Sequence, residues 1–480
     1  MKAPAVLCLF ALMLLTLPVS SAADESAVYT FTINYQIQNT SQYPAINARA
    51  TIYLFDNITG WANQQVLSES ITLNGQPYTS SQITKTSDNR WVEIQIGTMP
   101  GGSTKTISVT QTLKVTTVKF SINPDSVGTS FPSDVTQFTQ PVAGLYESNN
   151  SAISTRALSL TENTVNTYYK AKQILDWVIS YMTYQRQSTE HGALYGFNAK
   201  VGDCTEYSNL FVALARAAGI PAKGISGNAY LTIYNVTGSG ADINTVGHAW
   251  PIFYLPNYGW VPVDGVWPLN VGSFGKSDYF HIVGASTGGE GVVDSQGSIN
   301  WPGPGAISTN WQYYVGQPVA SGDVTRDISG TVAPEVLLDI TVEPSSQITG
   351  DNMAVTVTVK NMGKNSAENL SLALDLDTTY FEAPASQTKS SLTSNEQWVA
   401  TFSTRLKDNA YGNSHAIKAN VNYATSYSGL TGGLLATGER GLSIAARPES
   451  PLVSQDFLLY ILIGVVIGVA VAVAVAVARR

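Results

Sequence analysis

The chain has 480 residues, enough for about two to four domains of roughly 100–200 residues each. Only 12% of them are charged, well below the roughly 25% of an ordinary domain, and the formal net charge is −8. There is no basic stripe of the kind a nucleic-acid partner requires, and two cysteines, Cys8 and Cys204, cannot build a disulfide framework in a chain of this size.

Residues 1–23, "MKAPAVLCLFALMLLTLPVSSAA", combine Lys2, an apolar run and small residues before Asp24. They read as a signal peptide cut after Ala22 or Ala23, which would discard Cys8. Residues 24–125 then read as an N-terminal β-sandwich. "AVYTFTINYQIQN" alternates, with Tyr29, Phe31, Ile33, Tyr35 and Ile37 on one face, and further strand-like runs follow between turn residues.

Residues 126–325 change character. "VNTYYKAKQILDWVISYMTY" (165–184) places Tyr168, Ala171, Ile174, Leu175 and Val178 at helical spacing. After Cys204, the residues Leu210, Phe211, Leu214, Ala215 and Ala218 form a second helical stripe, closed by Gly219 and Pro221. Three strand-like pieces come next: "HAWPIFYL", "GWVPVD" and "YFHIVG". Pro251 lies inside the first of them, which predicts an edge or bulged strand. Residues 284–305 are rich in Gly, Ser and Pro and read as loop.

Residues 326–446 return to strand, turn, strand spacing and predict an immunoglobulin-like sandwich. Residues 447–456 read as a stalk. Phe457 to Ala478 is then an uncharged run long enough for a transmembrane helix. With Asp456 before it and Arg479–Arg480 after it, the charge rule puts the body outside the membrane and the short tail in the cytoplasm. Sequons at Asn39, Asn57, Asn149, Asn235 and Asn369 are candidate glycan sites in such a chain.

The chemistry centres on one sulfur. A thiol attacks as the thiolate, and a free cysteine with a pKa near about 8.5 is mostly protonated at neutral pH. The N-terminus of a helix and a neighbouring imidazole both favour ionisation, and the imidazole in turn needs a group to orient it. Cys204 stands at the start of its helix, just after Gly202 and Asp203. "TVGHAWPIFYLPNYGWVPVDGVW" supplies His248 and Asp264 on two strands that a short turn through "PNYG" would pair. The acidic Asp203 and Glu206 flank the thiol and oppose its ionisation unless they serve as caps.

The blocks "GDCTEYSNLFVALARAAGIPAKGISG", "GHAW" and "GWVPVD" resemble the transglutaminase-like domain, a relative of the papain-like cysteine peptidases. The resemblance covers roughly 160–285. It implies a central α+β domain, Cys204 as nucleophile, His248 as general base and Asp264 as its orienter. The implied reaction is acyl transfer from a glutamine side chain or a peptide bond through a thioester, with release to an amine or to water. For the oxyanion, the Cys204 N–H is the first candidate, and the side chains of Gln187, Tyr195 and Asn198 are further ones.

The expected fold is therefore multi-domain: a transglutaminase-like α+β centre, two flanking β-sandwiches and a C-terminal transmembrane helix. The expected function is a cell-surface cysteine enzyme acting on protein or peptide amides, with no cofactor. No zinc pattern is present, and "GSFGKS" fails as a phosphate loop because Asn270 occupies the position of its first glycine. His191 and His281 read as surface or core histidines. A non-catalytic, membrane-anchored binding or adhesion protein that retains the fold is the alternative. An intermolecular disulfide through Cys204 is a third possibility.

Overall fold

The computed structural model describes residues 24–79, 83–86, 89–230, 239–266, 273–313, 323–430 and 432–447. The expected signal peptide and membrane span lie outside these residues, as do Asn235 and nearly all of the stalk. Among the described residues, no helix is long and apolar enough to cross a membrane.

Strands dominate. The described residues contain four α-helices: α1 Ser151–Thr161, α2 Thr167–Tyr181, α3 Ala193–Ala199 and α4 Cys204–Ala217. The alternation read in the first strand is real in space. Asp24–Asn39 buries Tyr29, Phe31, Ile33, Tyr35 and Ile37 in one apolar core.

The expected picture of a central domain between two independent sandwiches needs correction. Asp24–Asn39 lies between Thr104–Thr116 and the distant Val324–Val336, antiparallel to both. Its first two residues also pair in parallel with Leu434 and Leu435. One ten-stranded sheet therefore runs through both β modules. Ile307–Tyr313 likewise joins the second N-terminal sheet by pairing with Ala45–Leu54. Local periodicity identifies strands but carries no information about partners some 300 residues away.

The C-terminal module packs Leu338–Thr349, Asn352–Asn361 and Gln397–Arg405 against the end of the shared sheet. Val355, Val357, Val359, Leu370, Leu372, Ile417 and Val421 fill the space between them.

The central domain has its own five-stranded sheet. Its order is Ser273–Phe274, Gly259–Asp264, Gly247–Leu255, Ala222–Ala229, His281–Thr287. Helix α4 packs on it and is buried from Thr205 to Arg216, around its whole circumference rather than on one stripe. Its far end closes as the sequence predicts: the Ile220 N–H reaches Ala215 O at 2.8 Å and the Gly219 N–H reaches Arg216 O at 2.9 Å. Gly219 supplies the left-handed residue, with φ 77°. The buried Arg216 guanidinium donates to the carbonyls of Ala222, Gln140 and Gly288, which locks this end of the helix to the sheet.

The strand that carries Pro251 is internal at Ile252 and Phe253, whereas Pro251 itself is paired only with Ala222–Ala229. The Tyr254 N–H donates to Pro221 O on the Ala222–Ala229 side. By alternation the Pro251 nitrogen faces the other neighbour, whose ladder begins only at Ile252↔Pro262. The ladder with Gly259–Asp264 stops one residue short of Pro251, which has no N–H to donate on that side.

Candidate active site

Cys204 is the first residue of α4. Asp203 caps the helix, its Oδ1 accepting the Thr205 N–H at 3.1 Å. Glu206 completes the capping box by accepting the Asp203 N–H on Oε2 at 2.8 Å. Its other oxygen takes the His191 N–H at 2.8 Å and so fixes the preceding loop. The two acids beside the thiol are thus occupied with backbone N–H groups. Glu206 is fully buried. Burial pushes its pKa up to about 7, against the pull of the N–H groups it holds. Gly202 leaves room for this side chain: a Cβ there would lie 2.3 Å from Glu206 Cβ.

His248 enters from Gly247–Leu255. Extending the register of that strand with Gly259–Asp264 sets Asp264 opposite Trp250, one pleat from His248 on the same face. Asn257, with φ 71°, and Gly259, with φ 82°, make the tight connection possible. The Trp250 ring stacks beside the imidazole, with centroids 5.5 Å apart.

The structure brings Cys204, His248 and Asp264 together. His248 Nε2 donates to Asp264 Oδ2 at 2.7 Å, and both side chains are buried. The Cys204 side chain is a hydrogen-bond partner of the same imidazole. With Nε2 committed to the carboxylate, Nδ1 is the nitrogen left for the sulfur. Cys204 itself is half-buried. Burial alone would lower the His248 pKa, but the charge and hydrogen bond of Asp264, and then Cys204, outweigh it and carry it up to about 9. Burial would likewise raise the Asp264 pKa, but His248 and then His281 hold it well below the usual carboxylate range.

His281 is the residue that sequence reasoning missed. It is no ordinary core histidine: its Nε2 approaches the same Asp264 Oδ2 at 3.1 Å and its Nδ1 lies 2.8 Å from Asp278 Oδ1. The short D-x-x-H spacing of Asp278 and His281 was the only local signal. His248, Asp264 and His281 also present three possible metal-ligand atoms within 4.8 Å of one another. Ligands around an ion with bonds of about 2.0–2.2 Å would stand more than 3 Å apart. The 2.7 Å contact has the length of a charge-assisted hydrogen bond. We therefore treat the cluster as hydrogen-bonded.

Cys204 and His248 open onto a cleft of about 540 Å³ that Gln187, Glu190, Thr245 and Trp301 also line. Among the side chains considered for the oxyanion, Gln187 lines this cleft and accepts the Tyr195 hydroxyl on Oε1 at 3.3 Å. Asn198 is exposed on α3 and is not part of the lining. The Cys204 N–H sits at the first helical position, where a helix offers its own amides no acceptor. Glu190, Ser226, Gly227, Asn244, Gly247 and Trp301 also line a second cleft of about 940 Å³. Tyr53 of Ala45–Leu54 and Arg326 of Val324–Val336 also line it.

One expected glycan site does not fit. Asn39 is fully buried, and its amide donates to Tyr43 O at 2.8 Å and Met99 O at 3.0 Å.

Residues 154–265 match the transglutaminase-like superfamily, and residues 333–427 match CARDB. The second match replaces the expected immunoglobulin-like module. The uncharacterised protein YebA of Bacillus subtilis (strain 168) is 31% identical over 141 residues, 26% of this chain and 19% of the relative. The chain thus spans about a fifth of that relative's length. A candidate cysteine protease from Cytophaga hutchinsonii is similar in structure with TM-score 0.41 at 15% identity, over 65% of this chain and 98% of that one. Red sea bream transglutaminase gives TM-score 0.25 at 11% identity, over 88% and 80% respectively. The chain carries a transglutaminase-like domain joined to a CARDB module.

Proposed function

We propose that the chain is a cysteine enzyme that cleaves or transfers protein or peptide amides through a thioester. In this reading the Cys204 thiolate attacks the amide carbonyl carbon, and the His248 imidazolium protonates the departing nitrogen from Nδ1. The C–N bond breaks and the acyl group remains on sulfur. Water or an amine then gives its proton to His248 and attacks the thioester, the C–S bond breaks, and Cys204 leaves as the thiolate beside the restored imidazolium. Asp264 stays ionised throughout and holds Nε2–H, so the ring keeps the tautomer and orientation that both proton transfers need. The single observation that supports this most is the continuous contact from Cys204 through His248 to Asp264 at the mouth of a cleft.

A polypeptide is the favoured substrate class. The cleft runs on into the larger one beside the N-terminal module, which suits an extended chain better than a compact small molecule. We favour hydrolysis over cross-linking, because nothing in the sequence identifies an amine-binding surface. We also place the body outside the cytoplasm, on the leader-like composition of residues 1–23.

The test is incubation with a glutamine-peptide library plus a primary amine, read by mass. Shortened peptides or glutamine converted to glutamate indicate hydrolysis, and amine adducts indicate transfer; ammonia leaves a glutamine in either case. Neither product, together with slow alkylation of Cys204 below pH 8 that His248→Ala leaves unchanged, would overturn the enzyme reading in favour of a binding protein.

A further inference from the structure

Asp264 has a second histidine behind it. His281 is 2% exposed, and each of its ring nitrogens faces a carboxylate oxygen: Nε2 toward Asp264 at 3.1 Å and Nδ1 toward Asp278 at 2.8 Å. A carboxylate accepts hydrogen bonds and does not donate them, so both nitrogens need a hydrogen. A ring with two N–H groups is an imidazolium.

The surroundings support that charge. Asp278 comes from the turn before the His281–Thr287 strand and also accepts the Phe280 N–H at 3.2 Å. The Lys276 ammonium stands 3.9 Å from its other oxygen, which favours the anion. Asp264 reaches over from Gly259–Asp264, and His248 lies on Gly247–Leu255 with its ring centroid 5.6 Å from that of His281. Trp250 meets the His281 ring edge-on at 5.0 Å, and the buried Tyr29 and Tyr279 phenols lie within the field of Asp278. The full relay is Cys204, His248, Asp264, His281, Asp278.

We propose that His281 is a positioning residue of the thiol site: an imidazolium from pH 5.5 to 8, gripped by Asp264 and Asp278, that fixes the Asp264 carboxylate against His248 and sets the pH at which His248 gives up its proton. Its catalytic meaning rests on the thioester reading above, but its protonation does not. The sign of its effect follows from charge. A cation beside Asp264 offsets part of the pull of that carboxylate on His248 and also repels the His248 imidazolium. With His281 neutralised, His248 should therefore hold its proton to higher pH.

The chain has four histidines, so ring ¹⁵N signals can be followed in the full-length protein labelled only at histidine. In the wild type, His281 should show two N–H-type nitrogens without change from pH 5.5 to 8. His281→Gln should raise the His248 titration midpoint by about 0.5–2 pH units, the range of charge repulsion at this separation between water-like and protein-like screening. Asp278→Asn leaves Asp264 untouched and should lower the His281 midpoint. A His281 that carries one N–H or titrates inside that window overturns the proposal, and so does an unmoved His248 midpoint in the folded His281→Gln protein. None of these signals requires turnover, so a protein without activity would defeat the enzyme reading and leave this result standing.

Discussion

The Ser208 hydroxyl lies 3.1 Å from the carbonyl oxygen of Ala249, the residue that follows His248. The same hydroxyl is 2.6 Å from the carbonyl oxygen of Cys204, one helical turn earlier. One buried side chain thus ties the turn that carries the sulfur to the strand that carries the imidazole. Ser208→Ala removes this tie without adding bulk. A lost hydrogen bond is worth about 1 kcal/mol. The expected result is a fall in kcat of roughly three- to tenfold with KM little changed, because the loss is in alignment and not in substrate contact. Steady-state kinetics beside a thermal unfolding curve would show it.

Asp264→Asn should be far more damaging. The amide keeps the shape but lets the ring adopt the wrong tautomer, and it removes the charge that favours imidazolium. We expect kcat to drop on the order of a thousandfold or more, as loss of the orienting carboxylate does in triads of this kind. Circular dichroism should show a folded protein, and kcat should fall much more than KM rises.

The pH dependence follows from His248. Its folded pKa is raised from 6.5 to about 9. The stabilisation this represents is fully present below about pH 6.5 and is lost as pH rises through about 9. Activity that depends on the imidazolium should decline over the same upper limb. In Asp264→Asn the limb should move to lower pH, since burial is then opposed by much less. Profiles of kcat/KM and of Tm from pH 6 to 10, in both proteins, check the two statements together.

Gly202→Ala tests the capping box. The new methyl group would meet the Glu206 Cβ at 2.3 Å, and Glu206 is buried with both oxygens in use. Overpacking of this sort costs about 1–3 kcal/mol. A lower Tm together with weaker thiol reactivity is expected, because the same box sets the start of α4. Denaturant unfolding and the alkylation rate of Cys204 are the measurements.

Much of the site was legible because its signals are local. The turn residues Gly202 and Asp203 precede the helix start, Gly219 and Pro221 announce its end, and the alternation of His248 with Trp250 and of Asp264 with Pro262 puts both polar groups on one face. Helices α1 and α3 were not read, since α3 spans only Ala193–Ala199 and neither adds a long apolar stripe. His281 was passed over because its meaning depends on Asp264 across the sheet, and no pattern along the chain encodes that meeting. The joined β modules escaped for the same reason: strand periodicity shows which face is apolar, but not that Asp24–Asn39 would sit beside Val324–Val336.

That last pairing has a temporal side. Asp24–Asn39 is made before the thiol-bearing domain, yet one of its flanking strands is made only after it. Until then it presents one edge of unpaired amides and carbonyls to whatever is near. The sheet around Asp24–Asn39 is therefore complete only once Val324–Val336 has been made. Asp24–Asn39 must be kept from wrong partners until Val324–Val336 has been made.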